Sequence, residues 1–232
     1  MKTIPGILIL AGLAWPQALF GAIGCTLSNP AEDLKYLYPE MTTYKEDLKE
    51  FPRLKGGAEL FKGLKARLGS DLDPIYETYD TPYTVYSVFK GSTRIGVVHG
   101  VNVPGKGGVI QVFLSMDPEA GNIRSFFYQR LESPAARQLR SKEFRAQFTG
   151  LTLADFYKHD YYALVEPGAK ADKVAAIKPP PIDPRGRPDY EASIRGVRKN
   201  LILLDYFVYA QRFEPFFERA QQAAGKAKAG KK

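Results

Sequence analysis

Apolar residues recur at helical spacing toward both ends of the chain and at strand spacing in its middle. Asn29–Pro39 predicts a short helix opened by an Asn cap and closed at Pro39, with Leu34, Leu37 and Tyr38 on one face. A second helix over Ala58–Leu68 turns Leu60, Phe61, Leu64 and Leu68 inward and stops at Gly69. From Ile75 the rhythm changes. Tyr83–Phe89, Arg94–Val103, Gly108–Asp117 and Ile123–Arg130 are rich in Val, Ile, Phe and Tyr, and Gly, Pro, Asp and Asn separate them. They predict four consecutive antiparallel strands. Helix returns after Ser133-Pro134, where Leu139, Phe144 and Phe148 are apolar up to Gly150, and again over Leu151–Tyr157. Glu166–Pro188, with Pro179-Pro180-Pro181, predicts an extended loop. A last helix over Asp189–Gln222 carries Ile194, Val197, Leu201, Leu204, Phe207 and Val208 on one stripe and is expected to kink at Pro215. The fold class expected is α+β, a curved antiparallel sheet flanked by helices, with no internal repeat.

Composition narrows the chemistry. With 232 residues and 44% apolar positions the chain can bury a core, and intrinsic disorder is excluded. One cysteine excludes a disulfide framework, a cysteine zinc site or an iron–sulfur cluster held by this chain alone. Two histidines, His99 and His159, exclude His-rich metal or haem ligation. The net charge of +8 is mostly peripheral, since Lys2 and four lysines of Gly225–Lys232 leave a body of about +3. With no RNP, helix-turn-helix or zinc-finger pattern, no nucleic-acid partner is expected. Residues 223–232 predict a basic disordered tail, and residues 29–222 the folded domain.

Residues 1–24 carry one charge, Lys2, and an apolar core over Ile7–Trp15. Ala22-Ile23-Gly24-Cys25 then resembles a bacterial lipobox, in which the cysteine is lipidated and becomes the first mature residue. Three readings stay open: a lipoprotein signal with Cys25 modified, ordinary cleavage, or an uncleaved anchor helix. All three put the body outside the cytoplasm, in the periplasm or at the cell surface, and the first and third tie it to the membrane.

No G-x-S-x-G, Walker loop or G-x-G-x-x-G is present, and Asp71, Asp73, Glu77 and Asp80 lack EF-hand spacing. His159-Asp160 has the makings of a dyad, but a histidine satisfied at a helix terminus explains it as well, and His99 reads as a mid-strand residue. The stretch from Arg124 to Arg145 is more informative. Arg124, Arg130, Arg137, Arg140, Lys142 and Arg145 face only Glu132 and Glu143 there, around a helix start at Ser133-Pro134. Backbone N–H groups, a helix N-terminus and arginines together suit a phosphate, and Phe126, Phe127 and Tyr128 offer flat surface to a ring.

In order along the chain, Gly107–Asp117, Gly121-Asn122-Ile123, Glu132-Ser133-Pro134 and Phe144-x-x-Gln-Phe148-x-Gly150 resemble the FMN-binding domain of Rnf electron-transport complexes and of sodium-pumping NADH:quinone reductase. Leu34–Pro39 resembles that family's upstream segment, so the likeness runs from Leu34 to Leu204. The resemblance implies FMN as cofactor, with Glu132, Ser133, Pro134, Arg137 and Arg140 around its phosphate. The family's attachment motif, Ser-Gly-Ala-Thr followed by a hydroxyl residue, corresponds to Tyr190–Val197, with Ser193 at the acceptor position. Glu191 replaces its glycine and Arg195 its small hydroxyl residue, so noncovalent FMN is expected, with Arg195 as a helper.

Two function classes follow. One is an exported, membrane-tethered flavoprotein that binds FMN noncovalently and passes electrons to redox partner proteins. The other is a non-enzymatic accessory lipoprotein of the same fold without flavin. The intact Glu132-Ser133-Pro134 favours the first and the altered attachment motif the second.

Overall fold

The computed structural model describes residues 25–230; the signal-like segment, residues 1–24, lies outside the described residues. A short helix α1 (Pro30–Leu37) leads into strand β1 (Thr43–Lys49) and helix α2 (Gly57–Leu68). Strands β2 (Tyr83–Lys90), β3 (Thr93–Gly105), β4 (Gly108–Met116) and β5 (Ile123–Arg130) follow, close to the spans their spacing predicts. The strands pair in chain order as one five-stranded antiparallel meander. The α+β expectation is met.

Strand β1 adds to the prediction. Its sequence, Thr-Tyr-Lys-Glu-Asp-Leu-Lys, is mostly charged, and among the described residues it pairs on one side only, with β2. Charged residues on an edge strand discourage further pairing, so this edge lacks the apolar run that marks an inner strand. At the other strand junctions turn chemistry dominates. Gly105 pairs Gly108 around Lys106-Gly107, and a Cβ on Gly107 would fall 2.1 Å from the Glu132 carbonyl oxygen. The β3–β4 tip is thereby packed against the start of the next loop.

The segment after β5 departs from the single helix expected. It forms two short helices, α3 (Ala136–Leu139) and α4 (Lys142–Ala146), before α5 (Leu153–Val165), which is longer than predicted. The predicted last helix is two: α6 (Arg187–Phe207) and α7 (Glu214–Ala229). Ala210 and Gln211 between them adopt left-handed backbone, with φ of 51° and 59°. Pro215 then sits in the first turn of α7, where a missing N–H costs nothing, so it starts a helix rather than kinking one. Helix α7 continues through residues expected to be a disordered tail, because Ala220 and Ala223 are buried and Tyr157 of α5 meets Phe217 with ring centroids 5.5 Å apart.

Helix α6 covers one sheet face, where Val197, Leu201 and Leu204 pack with Val101, Val112 and Leu114. Gly196 lets it come close, since a Cβ there would lie 3.1 Å from Val112. The opposite face is closed by residues 25–38: Cys25, Leu27, Leu34 and Tyr38 against Tyr86, Val88, Val98 and Phe113. Gly96 makes room for the Tyr38 ring, which a Cβ would meet at 2.1 Å.

Candidate functional site

The first turn of α6 lies beside the loop after β5 and the β3–β4 tip, so Ser133, Ser193 and Lys106 converge on Asp189. The Asp189 carboxylate accepts from Ser133 Oγ at 2.5 Å and from the Lys106 backbone N–H at 2.6 Å, and the residue has no exposed surface. Ser193 is equally buried and donates to the Asp189 carbonyl at 2.7 Å, one turn back along its own helix. Ser133 and Ser193 thus both reach Asp189, and its carboxylate, an anion of the chain's own, takes the Ser133 hydroxyl.

The rest of the expected phosphate cradle is dispersed. The N–H of Ala135 goes to Ser133 Oγ and that of Ala136 to the Ser133 carbonyl, so neither N–H following Pro134 is free. Helix α3 has four residues and offers no long dipole. Glu132 accepts from Arg130 at 2.8 and 3.0 Å, and Arg137 is exposed. Arg140 turns to the Tyr128 carbonyl at 2.5 Å. Arg195 projects from another side of α6 and pairs with Asp71 at 3.7 Å. With a carboxylate at its centre and its arginines elsewhere, this constellation does not fit an FMN phosphate. Nor is Ser193 accessible for attachment.

Arg140 meets Arg145 in a smaller recess of about 290 Å³, lined also by Asp33, Tyr36, Phe127 and Tyr128. Arg145 donates to the Phe126 carbonyl at 3.2 Å and to the Arg140 carbonyl at 3.1 Å. Neither guanidinium forms an ion pair among the described residues. Burial and the neighbouring Arg145 hold Arg140 below the usual guanidinium range, with Tyr128 opposing them.

A larger concavity lies elsewhere, where β3 runs on past its pairing with β2 and its outer edge has no strand among the described residues. This cleft holds about 580 Å³ between that edge, the 70–77 loop and Cys25. Its floor carries Lys199 of α6, 2% exposed, with Nζ 2.6 Å from Glu77 Oε2 and 3.2 Å from the Asn102 carbonyl. Glu77 also accepts from the Asp73 N–H at 2.8 Å. Tyr83 and Asn102 line the same cleft, and the Tyr83 hydroxyl and Asn102 Oδ1 are both buried without a hydrogen-bond partner among the described residues. Burial, with Glu77 adding to it, pushes the Tyr83 phenol well above its usual range.

No protein-family model matches this chain, and no curated protein matches it. Among solved structures it is similar to NqrC of Shewanella oneidensis at 15% identity, over 87% of this chain and 94% of that one, with a TM-score of 0.42.

The remaining expectations sort themselves by contact. His159 bonds Asp172, at 2.6 Å, while Asp160 pairs with Arg198 at the same distance, so no dyad forms between them. His99 is buried against Asn200 of α6, with Nδ1 and Oδ1 2.7 Å apart. The Asn200 amide nitrogen donates to the His99 and Val112 carbonyls, which makes its oxygen the acceptor and puts the proton on Nδ1. Burial brings His99 down to about 4, so it is neutral and structural. Cys25 is 6% exposed at the cleft wall, and burial pushes its thiol up to about 12. Lys199, Glu77, Asp189 and Asn102 were not legible as site residues. No spacing marked Lys199, which stands two positions before Leu201 and so on the side of the helix opposite the apolar stripe.

Proposed function

We propose that this chain is a non-enzymatic accessory binding module that uses an FMN-binding-domain-like fold without flavin, tethered outside the cytoplasm through Cys25. The observation that carries the flavin-free reading is Asp189, whose buried carboxylate takes the Ser133 hydroxyl and the Lys106 N–H that an FMN phosphate would need. A second anion there would be repelled at short range in a poorly solvated site. Tethering rests on the lipobox-like Ala22–Cys25.

One observation favours a second reading. The ion-pair-free Arg140 and Arg145 beside Phe127 and Tyr128 suit the phosphate and ring of a noncovalent FMN, which would supply electron transfer. One preparation separates the two. Protein purified from its native membrane is expected to lack absorbance at about 450 nm before and after denaturation. Its N-terminus is expected at Cys25 with the mass of an attached lipid. Stoichiometric flavin released on denaturation would overturn the first reading for the second. An N-terminus upstream of Cys25, or a free Cys25 thiol, would overturn the tether.

A further inference from the structure

We propose that the cleft beside the free edge of β3 binds a neutral, largely apolar ligand through a carboxamide or peptide-like amide. This deepens the reading of the chain as a binding module and rests on it. Buried polar atoms almost always have partners, because leaving one without costs most of its hydration. Here two such atoms, the Tyr83 hydroxyl and Asn102 Oδ1, belong to residues lining one cleft, and Tyr83 is 5% exposed. A third group, the Lys199 ammonium, has three protons and two partners, Glu77 Oε2 and the Asn102 carbonyl.

The ligand's charge follows from the walls. Asp73 lines the cleft together with Asp71 and Glu77, whose cationic partners are Arg195 and Lys199, so acids outnumber the lining's one cation and a carboxylate entering it is disfavoured by like charge. Lys199 on the floor disfavours an ammonium for the same reason. A neutral head remains. It must accept from Tyr83 or Lys199 and also offer a proton to Asn102 Oδ1. An amide does both, and its C=O/N–H edge is complementary to the Asn102 carboxamide whichever way that group is turned. The body of the ligand meets Leu72, Pro74, Val101, Val103, Pro104 and Val109, and the volume of about 580 Å³ is that of a small-molecule site.

Three probes that share one ring test this: 2-naphthamide, 2-naphthoate and 2-(aminomethyl)naphthalene, each measured by equilibrium dialysis against the full-length protein. The amide is expected to bind about tenfold more tightly than either charged probe. Tyr83→Phe removes a hydroxyl that has no partner, so it is expected to leave the thermal midpoint unchanged while weakening 2-naphthamide about fivefold. Asn102→Leu, similar in volume, is expected to weaken it further and to erase the preference over 2-naphthoate. Equal binding of all three probes, no binding by any, or an amide affinity indifferent to both substitutions would overturn the proposal. Flavin content, read by absorbance on the same protein, separately reports failure of the flavin-free reading.

Discussion

Replacing Asp189 tests whether the chain has closed its own anion site. The carboxylate takes two short contacts, from Ser133 Oγ at 2.5 Å and the Lys106 N–H at 2.6 Å, from a position with no exposed surface. Hydrogen bonds to a charged acceptor are worth about 1.5–3 kcal/mol each, and an acid in a helix first turn adds about 0.3–1 kcal/mol. The cost of burying the charge offsets part of that sum. Asp189→Asn keeps shape and an acceptor for Lys106, while its amide can donate to Ser133, so only the charge-dependent part is lost, about 1–2 kcal/mol. Asp189→Ala strands both donors and is expected to cost about 3 kcal/mol, lowering the thermal midpoint by about 6–12 °C for a chain of this length. Urea unfolding followed by circular dichroism measures both. The alanine variant should also recover stability in inorganic phosphate beyond an ionic-strength-matched chloride control, because the vacated donors then accept an outside anion. Variants within about 0.5 kcal/mol of the parent would refute the energetic argument. A parent protein stabilised by phosphate as strongly as Asp189→Ala would refute the idea that the site is already filled.

Two further expectations concern the core. His99 falls from 6.5 to about 4 in the folded state through burial, so the unfolded chain takes up a proton first as pH drops. Its contribution is therefore complete above pH 6.5 and is lost between there and about pH 4, amounting to about 3 kcal/mol. An NMR titration of the His99 ring with an apparent midpoint above pH 6 would contradict this. Arg67 and Asp205 form an ion pair 2.6 Å long with both side chains almost fully covered. Arg67→Met should cost about 3–5 kcal/mol by leaving the buried carboxylate without its cation, and Arg67→Met/Asp205→Leu should restore part of it, short of the lost Phe213 N–H contact. A single substitution costing less than about 1 kcal/mol in urea unfolding would count against the pair's being charged.

The inner strands were legible because burial on both faces demands runs of Val, Ile, Phe and Tyr bounded by turn residues, as in Tyr83–Lys90 and Gly108–Met116. Edge strand β1 was not, since its charges answer to solvent rather than to a core. The break at Ala210-Gln211 was hidden for another reason. It depends on Asp205 holding the turn, with Gln211 N–H on its carbonyl at 2.8 Å and Phe213 N–H on its carboxylate at 3.3 Å, and no turn residue advertises it. The candidate sites suffer from distance along the chain. Ser133 and Lys106 stand 56 and 83 positions from Asp189, and Glu77 stands 122 from Lys199. No local pattern joins such partners.

The apolar stripe of α6 also hid the polar residues that share its face. By helical angle Asp189, Ser193 and Asn200 fall on the stripe, Asp205 at its margin and Lys199 opposite it; all five are buried. Each has a partner at a specific place: Ser133 and the Lys106 N–H for Asp189, the helix backbone for Ser193, Glu77 for Lys199, two strand carbonyls for Asn200, and Arg67 for Asp205. Sliding α6 by one turn, about 5.4 Å, would break the four partnerships outside the helix, while an all-apolar face would merely repack. Polar contacts therefore set the helix in register on the sheet, and the register puts the Asp189 carboxylate at Ser133 and the Lys199 ammonium at the cleft floor. The closed anion site and the open cleft are two consequences of one helix placement. A substitution that shifts α6, such as Gly196→Val against the side chains of Val112 and Val103, should disturb both together.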